Sequence, residues 1–121
     1  MKRVFIETTW FTAAVRDFLT DEDYARFQQH LMKNPRMGAV MSGCGGLRKV
    51  RLSAPVKRRG KRGGVRVIYL DVPTASWTLL LDIYGKDEKD DLSTEERKVL
   101  KRLAMQFKRL AKNAIKRKGS S

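Results

Sequence analysis

The sequence predicts an α+β domain in which two N-terminal helices and one long C-terminal helix pack on a small antiparallel sheet, in the order βααβββα. Three observations predict it. Two helical apolar stripes lie close together near the N-terminus, three strand-like runs crowd between residues 47 and 84, and a capped amphipathic stretch follows. With 121 residues and 41% hydrophobic content, the chain can bury one modest core and not two. One domain is expected over residues 1–115, with a flexible basic tail at 116–121.

Val4-Phe5-Ile6 reads as a short strand. Phe11, Ala14, Val15, Phe18 and Leu19 then recur at helical spacing, predicting a first helix over about residues 8–19. Thr20 with Asp23 three positions later resembles a capping box, and Tyr24, Phe27 and Leu31 form the stripe of a second helix that must end before Pro35. Met37 to Gly46 holds four glycines and reads as a loop. Strands are expected over Leu47–Leu52, Val65–Val72 and Ser76–Tyr84, the last two joined by a tight reversal at Pro73-Thr-Ala and therefore antiparallel. Ser93-Thr-Glu-Glu96 is a full capping box. Leu100, Leu103, Phe107, Leu110 and Ala114 follow it in steps of three and four, a stripe read as packing on the chain's own sheet.

Charge is distributed unevenly. From Tyr24 to Leu70 there are twelve lysines and arginines and no acid, which accounts for +12 of the net +14. A polyanionic partner is the natural reading. No run reaches the eighteen or so apolar residues of a membrane span, so no membrane association or secretion is expected. The single Cys44 leaves no internal disulfide, which fits a reducing compartment; between Gly43 and Gly45 it reads as a small residue in a turn. His30, the one histidine, reads as a surface side chain.

Strand periodicity resolves the basic stretch into parts. Lys49 and Arg51 share one strand face, about 6.6 Å apart by the standard rise, while Val50 and Leu52 face the core. On the next strand Arg66 shares a face with Ile68 and Leu70, opposite Val65, Val67 and Tyr69. Lys86 closes the third strand beside Tyr84 and Gly85. If the strands are neighbours, Lys49, Arg51, Arg66 and Lys86 converge on one surface. Between them, Lys57, Arg58, Arg59, Lys61 and Arg62 form a cationic loop suited to phosphates, whose contacts would weaken steeply with salt.

Three segments carry a family resemblance: Gly46-Leu47-Arg48-Lys49-Val50-Arg51, Lys61-Arg62-Gly63-Gly64-Val65-Arg66-Val67-Ile68-Tyr69, and Leu80-Leu81-Asp82-Ile83-Tyr84-Gly85-Lys86. With Met32-Lys33-Asn34-Pro35-Arg36-Met37-Gly38 and Asp91-Leu92-Ser93, they resemble the HigB branch of the RelE toxin superfamily across almost the whole chain. The resemblance implies a RelE-like fold and a bacterial, cytoplasmic, ribosome-dependent mRNA endoribonuclease. It also implies neutralisation by a helix-turn-helix antitoxin of HigA type, with operator DNA contacted only through that antitoxin. By resemblance, Lys49 takes the place of the general-base lysine, Arg51 that of a second lysine, and Arg66 that of the central-strand arginine that stabilises transition-state charge. Lys86 falls in the glycine-lysine turn after the last strand. Asp87 stands where well-studied members carry another arginine, and Ser93 near where they carry a tyrosine, so Lys86 or Tyr84 is the substitute general acid.

The chemistry is consistent with this independently of the family. Metal-free RNA cleavage needs a base for the 2'-hydroxyl, charge stabilisation at phosphorus and an acid for the leaving 5'-oxygen. One histidine rules out a two-histidine mechanism. A lysine is a poor base near neutral pH, and crowding by Arg48, Arg51 and Arg66 would lower the pKa of Lys49. Arg48, Tyr84, the 57–62 loop and Lys101, Arg102, Lys108 and Arg109 on the last helix are then expected to contact RNA or the ribosome. No metal or cofactor is expected: Asp87, Glu88, Asp90 and Asp91 crowd one turn with Lys86 and Lys89, and read as charge complementing a helix start. The rival readings are a metal nuclease on that turn, a non-catalytic RNA- or ribosome-binding module, and an inactive toxin relative kept for operon autoregulation.

Overall fold

The computed structural model describes residues 3–52 and 64–119, the last three by backbone alone. Its elements are β1 (Val4–Glu7), α1 (Thr9–Phe18), α2 (Asp21–Lys33), β2 (Ala39–Val40), β3 (Arg48–Leu52), β4 (Val65–Val72), β5 (Trp77–Gly85) and α3 (Thr94–Gly119). The five strands lie in the order β1-β5-β4-β3-β2.

Each helix starts where the side-chain chemistry says it should. The Thr8 hydroxyl accepts from the Phe11 N–H and donates to the Leu81 carbonyl, tying the start of α1 to β5. The Thr20 hydroxyl accepts from Asp23 N–H at 3.0 Å. At α3 the box is reciprocal: Ser93 N–H donates to Glu96, and Glu96 N–H donates to the Ser93 hydroxyl. Pro73–Ala75 forms a 3-10 turn ending in Ser76 at φ 55°, and β4 and β5 pair antiparallel across it as expected.

Three features differ from the sequence reading. The sheet is mixed, because β1 pairs parallel to β5 while every other pair is antiparallel. The two helices between β1 and the rest of the sheet supply the crossover that parallel pairing needs, and a four-residue strand carries no pattern that announces its partner. Secondly, the glycine-rich loop contains β2, whose two residues pair with Lys49 and Arg48. Thirdly, α3 continues to Gly119, past the expected start of a tail.

Two apolar layers flank the sheet. On one face Phe11, Val15, Phe18, Phe27 and Leu31 of α1 and α2 pack on Val50, Val65, Val67, Tyr69 and Ile83. On the other, Leu100, Ala104 and Ala111 of α3 pack on Ile68, Leu70, Leu79, Leu81 and Tyr84, with Met41, Cys44 and Leu47 closing one side. The expected α3 stripe is therefore rotated: Leu103 and Phe107 are only partly buried, Leu110 is 54% exposed and Ala114 is exposed. Small residues at 104 and 111 let the helix approach the sheet closely, which an apolar-size pattern does not capture.

One buried contact joins these layers to the segment before β2. The fully buried Tyr69 hydroxyl donates to the Pro35 carbonyl and accepts from Gly38 N–H. Gly38 lies so close that a Cβ there would stand 2.9 Å from the Lys49 carbonyl oxygen. Removing the hydroxyl leaves two backbone groups without their partner. Tyr69→Phe is expected to destabilise the fold by about 1–3 kcal/mol in urea unfolding, with an unchanged m-value.

Candidate functional site

The register places the basic residues of the sheet in two adjacent rows. Arg51 lies directly opposite Arg66, and Arg66 directly opposite Tyr84. Lys49, two residues along β3 and on the same face, lies opposite Ile68, itself opposite Asp82. This is the face on which α3 packs, where it meets β4 and the 73–75 turn, while Arg51 on β3 is exposed among the described residues. Exposure falls from β3 to β4: Arg51 is exposed, the Lys49 side chain is 33% exposed, and Arg66 is 5% exposed. Two arginines directly opposite each other destabilise a sheet unless an anion offsets their repulsion. The arrangement is suited to holding an oxyanion over β3 and β4.

Arg48 does not belong to this cluster. It faces the opposite side of β3, in line with Tyr69, and its guanidinium donates to the Gly38 and Arg36 carbonyls, at 2.7 and 3.4 Å. It fixes the chain leaving α2 and does not crowd Lys49. Lys86 is exposed at the start of the turn after β5, where its N–H donates to the Gly64 carbonyl. On α3, Lys101 and Lys108 border the Gly45-Gly46 corner, and Arg102 and Arg109, seven residues apart, share the outer, solvent-facing side. Lys57, Arg58, Arg59, Lys61 and Arg62 lie outside the described residues. His30 is exposed and Cys44 buried, as expected of a surface side chain and of a turn residue.

Two site residues escaped the sequence reading. Asp91 brings a carboxylate to Lys49, with Oδ1 at 3.4 Å from Nζ and accepting from the Leu92 N–H, while Oδ2 accepts from Arg97 at 2.7 Å. The surroundings of Lys49 are thus free of acids in sequence and not in space. Forty-two positions separate the two partners, and no local pattern links them. The only hint was that Asp91 and Arg97 bracket the capping box. Burial by itself raises the Asp91 pKa, but the Leu92 N–H, Lys49 and Arg97 outweigh it and hold the carboxyl below its ordinary value. Ser93 serves as the N-cap of α3.

Tyr84 is 2% exposed, and its hydroxyl has no hydrogen-bond partner among the described residues. Burial, with Asp91 adding to it, pushes the phenol up to about 12. The Lys89 ammonium sits 4.8 Å from its ring centroid and also pairs with Glu96.

Residues 2–120 match the family described as RelE toxin of the RelE/RelB toxin-antitoxin system. The chain belongs to the RelE toxin family. Similar solved structures include a double-arginine variant of E. coli toxin RelE in the free state. It has 14% identity and a TM-score of 0.54, the match covering 74% of this chain and 90% of that one. The intact E. coli RelBE toxin-antitoxin complex matches at 12% identity and a TM-score of 0.53, over 69% and 96% of the two chains. The same RelE variant bound to an antitoxin RelBc peptide matches at 14% identity and 0.51, over 78% and 90%. These likenesses establish the fold; family membership makes this chain a toxin of a toxin-antitoxin system with an antitoxin as partner. No helix among the described residues is long and apolar enough to cross a membrane.

All three tyrosines of this RelE-family toxin have raised pKa values, with burial as the largest cause in each. Folding therefore raises each phenol above its unfolded value of about 10, so this stability is complete below pH ~10 and is lost as pH rises through the folded values. Alkaline titration followed by tyrosinate absorbance should show ionisation only as the fold opens. In strong denaturant the same phenols should titrate near pH ~10.

Proposed function

We propose that this toxin is a metal-independent endoribonuclease of the HigB branch that cleaves translated mRNA in the ribosomal A site. The observation that carries this reading is the cross-strand pair of Arg51 and Arg66 with Lys49 on the same open sheet face. Lys49, held on β3 between β2 and β4, removes the 2'-hydroxyl proton. Arg66 is anchored by burial on the central strand, so its charge is already oriented when negative charge develops on the non-bridging oxygens. Arg51 holds the phosphate from the edge. Lys86 supplies the proton to the leaving 5'-oxygen, because it is exposed in the turn after β5 while the Tyr84 hydroxyl lies beneath the surface. The products are a 2',3'-cyclic phosphate and a 5'-hydroxyl, with no metal or cofactor in the step.

The 57–62 loop and Lys101, Arg102, Lys108 and Arg109 contact ribosomal RNA in this reading. A helix-turn-helix antitoxin of HigA type neutralises the toxin in the bacterial cytoplasm and carries the only contact with operator DNA. The family match and the RelBE fold neighbours support the antitoxin's existence; its type rests on the sequence resemblance.

Mapping of mRNA 5' ends with and without translation tests the activity. Lys49→Ala and Arg66→Lys are expected to lose about a hundredfold or more in cleavage, the latter because an ammonium keeps the charge but not the planar fork. Excess chelator should leave the rate unchanged, and a 2'-deoxy substitution at the cleaved nucleotide should abolish it. Cuts that do not need translation, or full activity in both variants, would overturn the assignment.

A further inference from the structure

Three donors converge on the Asp91 carboxylate: the Lys49 ammonium, the Arg97 guanidinium and the Leu92 N–H. They come from β3, from the first turn of α3 and from the turn between β5 and α3, so the sequence does not group them and only the fold does. The cluster adjoins the opposed Arg51 and Arg66, sharing Lys49 with that face. A carboxylate held by an ammonium and a guanidinium has the charge and donor demands of a phosphodiester oxygen pair. Asp91 is 43% exposed, on an irregular turn outside any helix or strand, so its side chain can turn outward to solvent without unmaking regular structure.

We propose that Lys49 and Arg97 form a phosphate subsite occupied by the Asp91 carboxylate when no substrate is bound, and that an RNA backbone phosphate displaces Asp91 from it. This rests on the reading of the sheet face as an RNA site and adds Arg97 to its ligands. Asp91 then acts as an internal competitor of substrate: it keeps two cations paired in the free toxin and lowers affinity for stray polyanions. A phosphate that enters pairs with Arg97 as well as Lys49, which extends the cationic surface from the sheet onto the start of α3.

Binding of a non-cleavable 2'-O-methyl RNA oligonucleotide, with inorganic sulfate as a second probe, decides the matter. Asp91→Asn keeps an oxygen acceptor for the Leu92 N–H and removes the charge. It should bind the oligonucleotide about fivefold more tightly at low salt, as expected from deleting one like charge within contact distance. Arg97→Gln should weaken binding several-fold, and in the Asp91→Asn, Arg97→Gln double variant the gain should vanish. Sulfate, compared with chloride at equal ionic strength, should raise the melting temperature of Asp91→Asn more than that of the wild type. Asp91→Ser, whose hydroxyl also accepts from an N–H, repeats the measurement should the asparagine variant fold poorly. Equal or weaker oligonucleotide binding by folded Asp91 variants overturns the proposal, as does a gain that survives loss of Arg97. Sulfate stabilisation with no oligonucleotide binding by any form would sustain the anion subsite but refute RNA as its ligand and the RNA reading of the sheet face. Oligonucleotide gains alongside full cleavage by Lys49→Ala would sustain the subsite and refute the catalytic assignment.

Discussion

Everything at the candidate site depends on one constraint: a guanidinium placed almost entirely out of water on the central strand of the sheet. Burying a charge is costly unless the surrounding structure holds it well. β4 meets that demand because it is paired on both sides, by β3 and β5, and covered by helices on both faces. Arg66 is the one cation of a strand whose other charge, Asp71, lies near its far end, and the sheet arranges Arg51 on one side of it and Tyr84 on the other. The apolar layers matter to function chiefly because they immobilise this row.

The two faces of the sheet divide the work. The face toward α1 and α2 is largely apolar, and its Arg48 guanidinium and Tyr69 hydroxyl are spent on holding the 35–38 segment against β3. The face toward α3 is divided by the width of one helix. Where α3 packs, the core side chains are apolar; beside them lie the cations Arg66 on β4 and Lys49 and Arg51 on β3. The small residues Ala104 and Ala111 allow close packing, so the helix covers the core without spreading over the charged strip. Gly46, at φ 94°, turns the preceding loop against the same helix, with Lys108 3.0 Å from where a Cβ would be.

Electrostatics shows where sequence reasoning reached its limit. A segment with twelve bases and no acid implied that Lys49 sits among cations alone. The fold instead supplies a carboxylate from the turn after β5 and moves Arg48 to the other face. Both outcomes follow from tertiary geometry. Alternation along β3 separates Arg48 from Lys49, and the path of the 86–93 turn decides which acid arrives. The same alternation that puts Lys49 and Arg51 on one face puts Arg48 on the other. The turn's path carried no local signal.

By itself the sequence determined every element type except the short β2, the helix starts, the two faces of β3 and β4 and the candidate cations on them. These depend on residue periodicity and on capping groups three positions apart, which are local. Family membership was legible because whole motifs and their spacing survive in the chain. Tertiary structure alone decided that β1 runs parallel to β5, that α3 seats on Leu100, Ala104 and Ala111 in place of the longer apolar stripe, and that Asp91 and Arg97 join Lys49. Each of those depends on which surfaces meet once the chain is folded, and close packing of small side chains and pairing of charges from different elements leave no periodic trace in the chain.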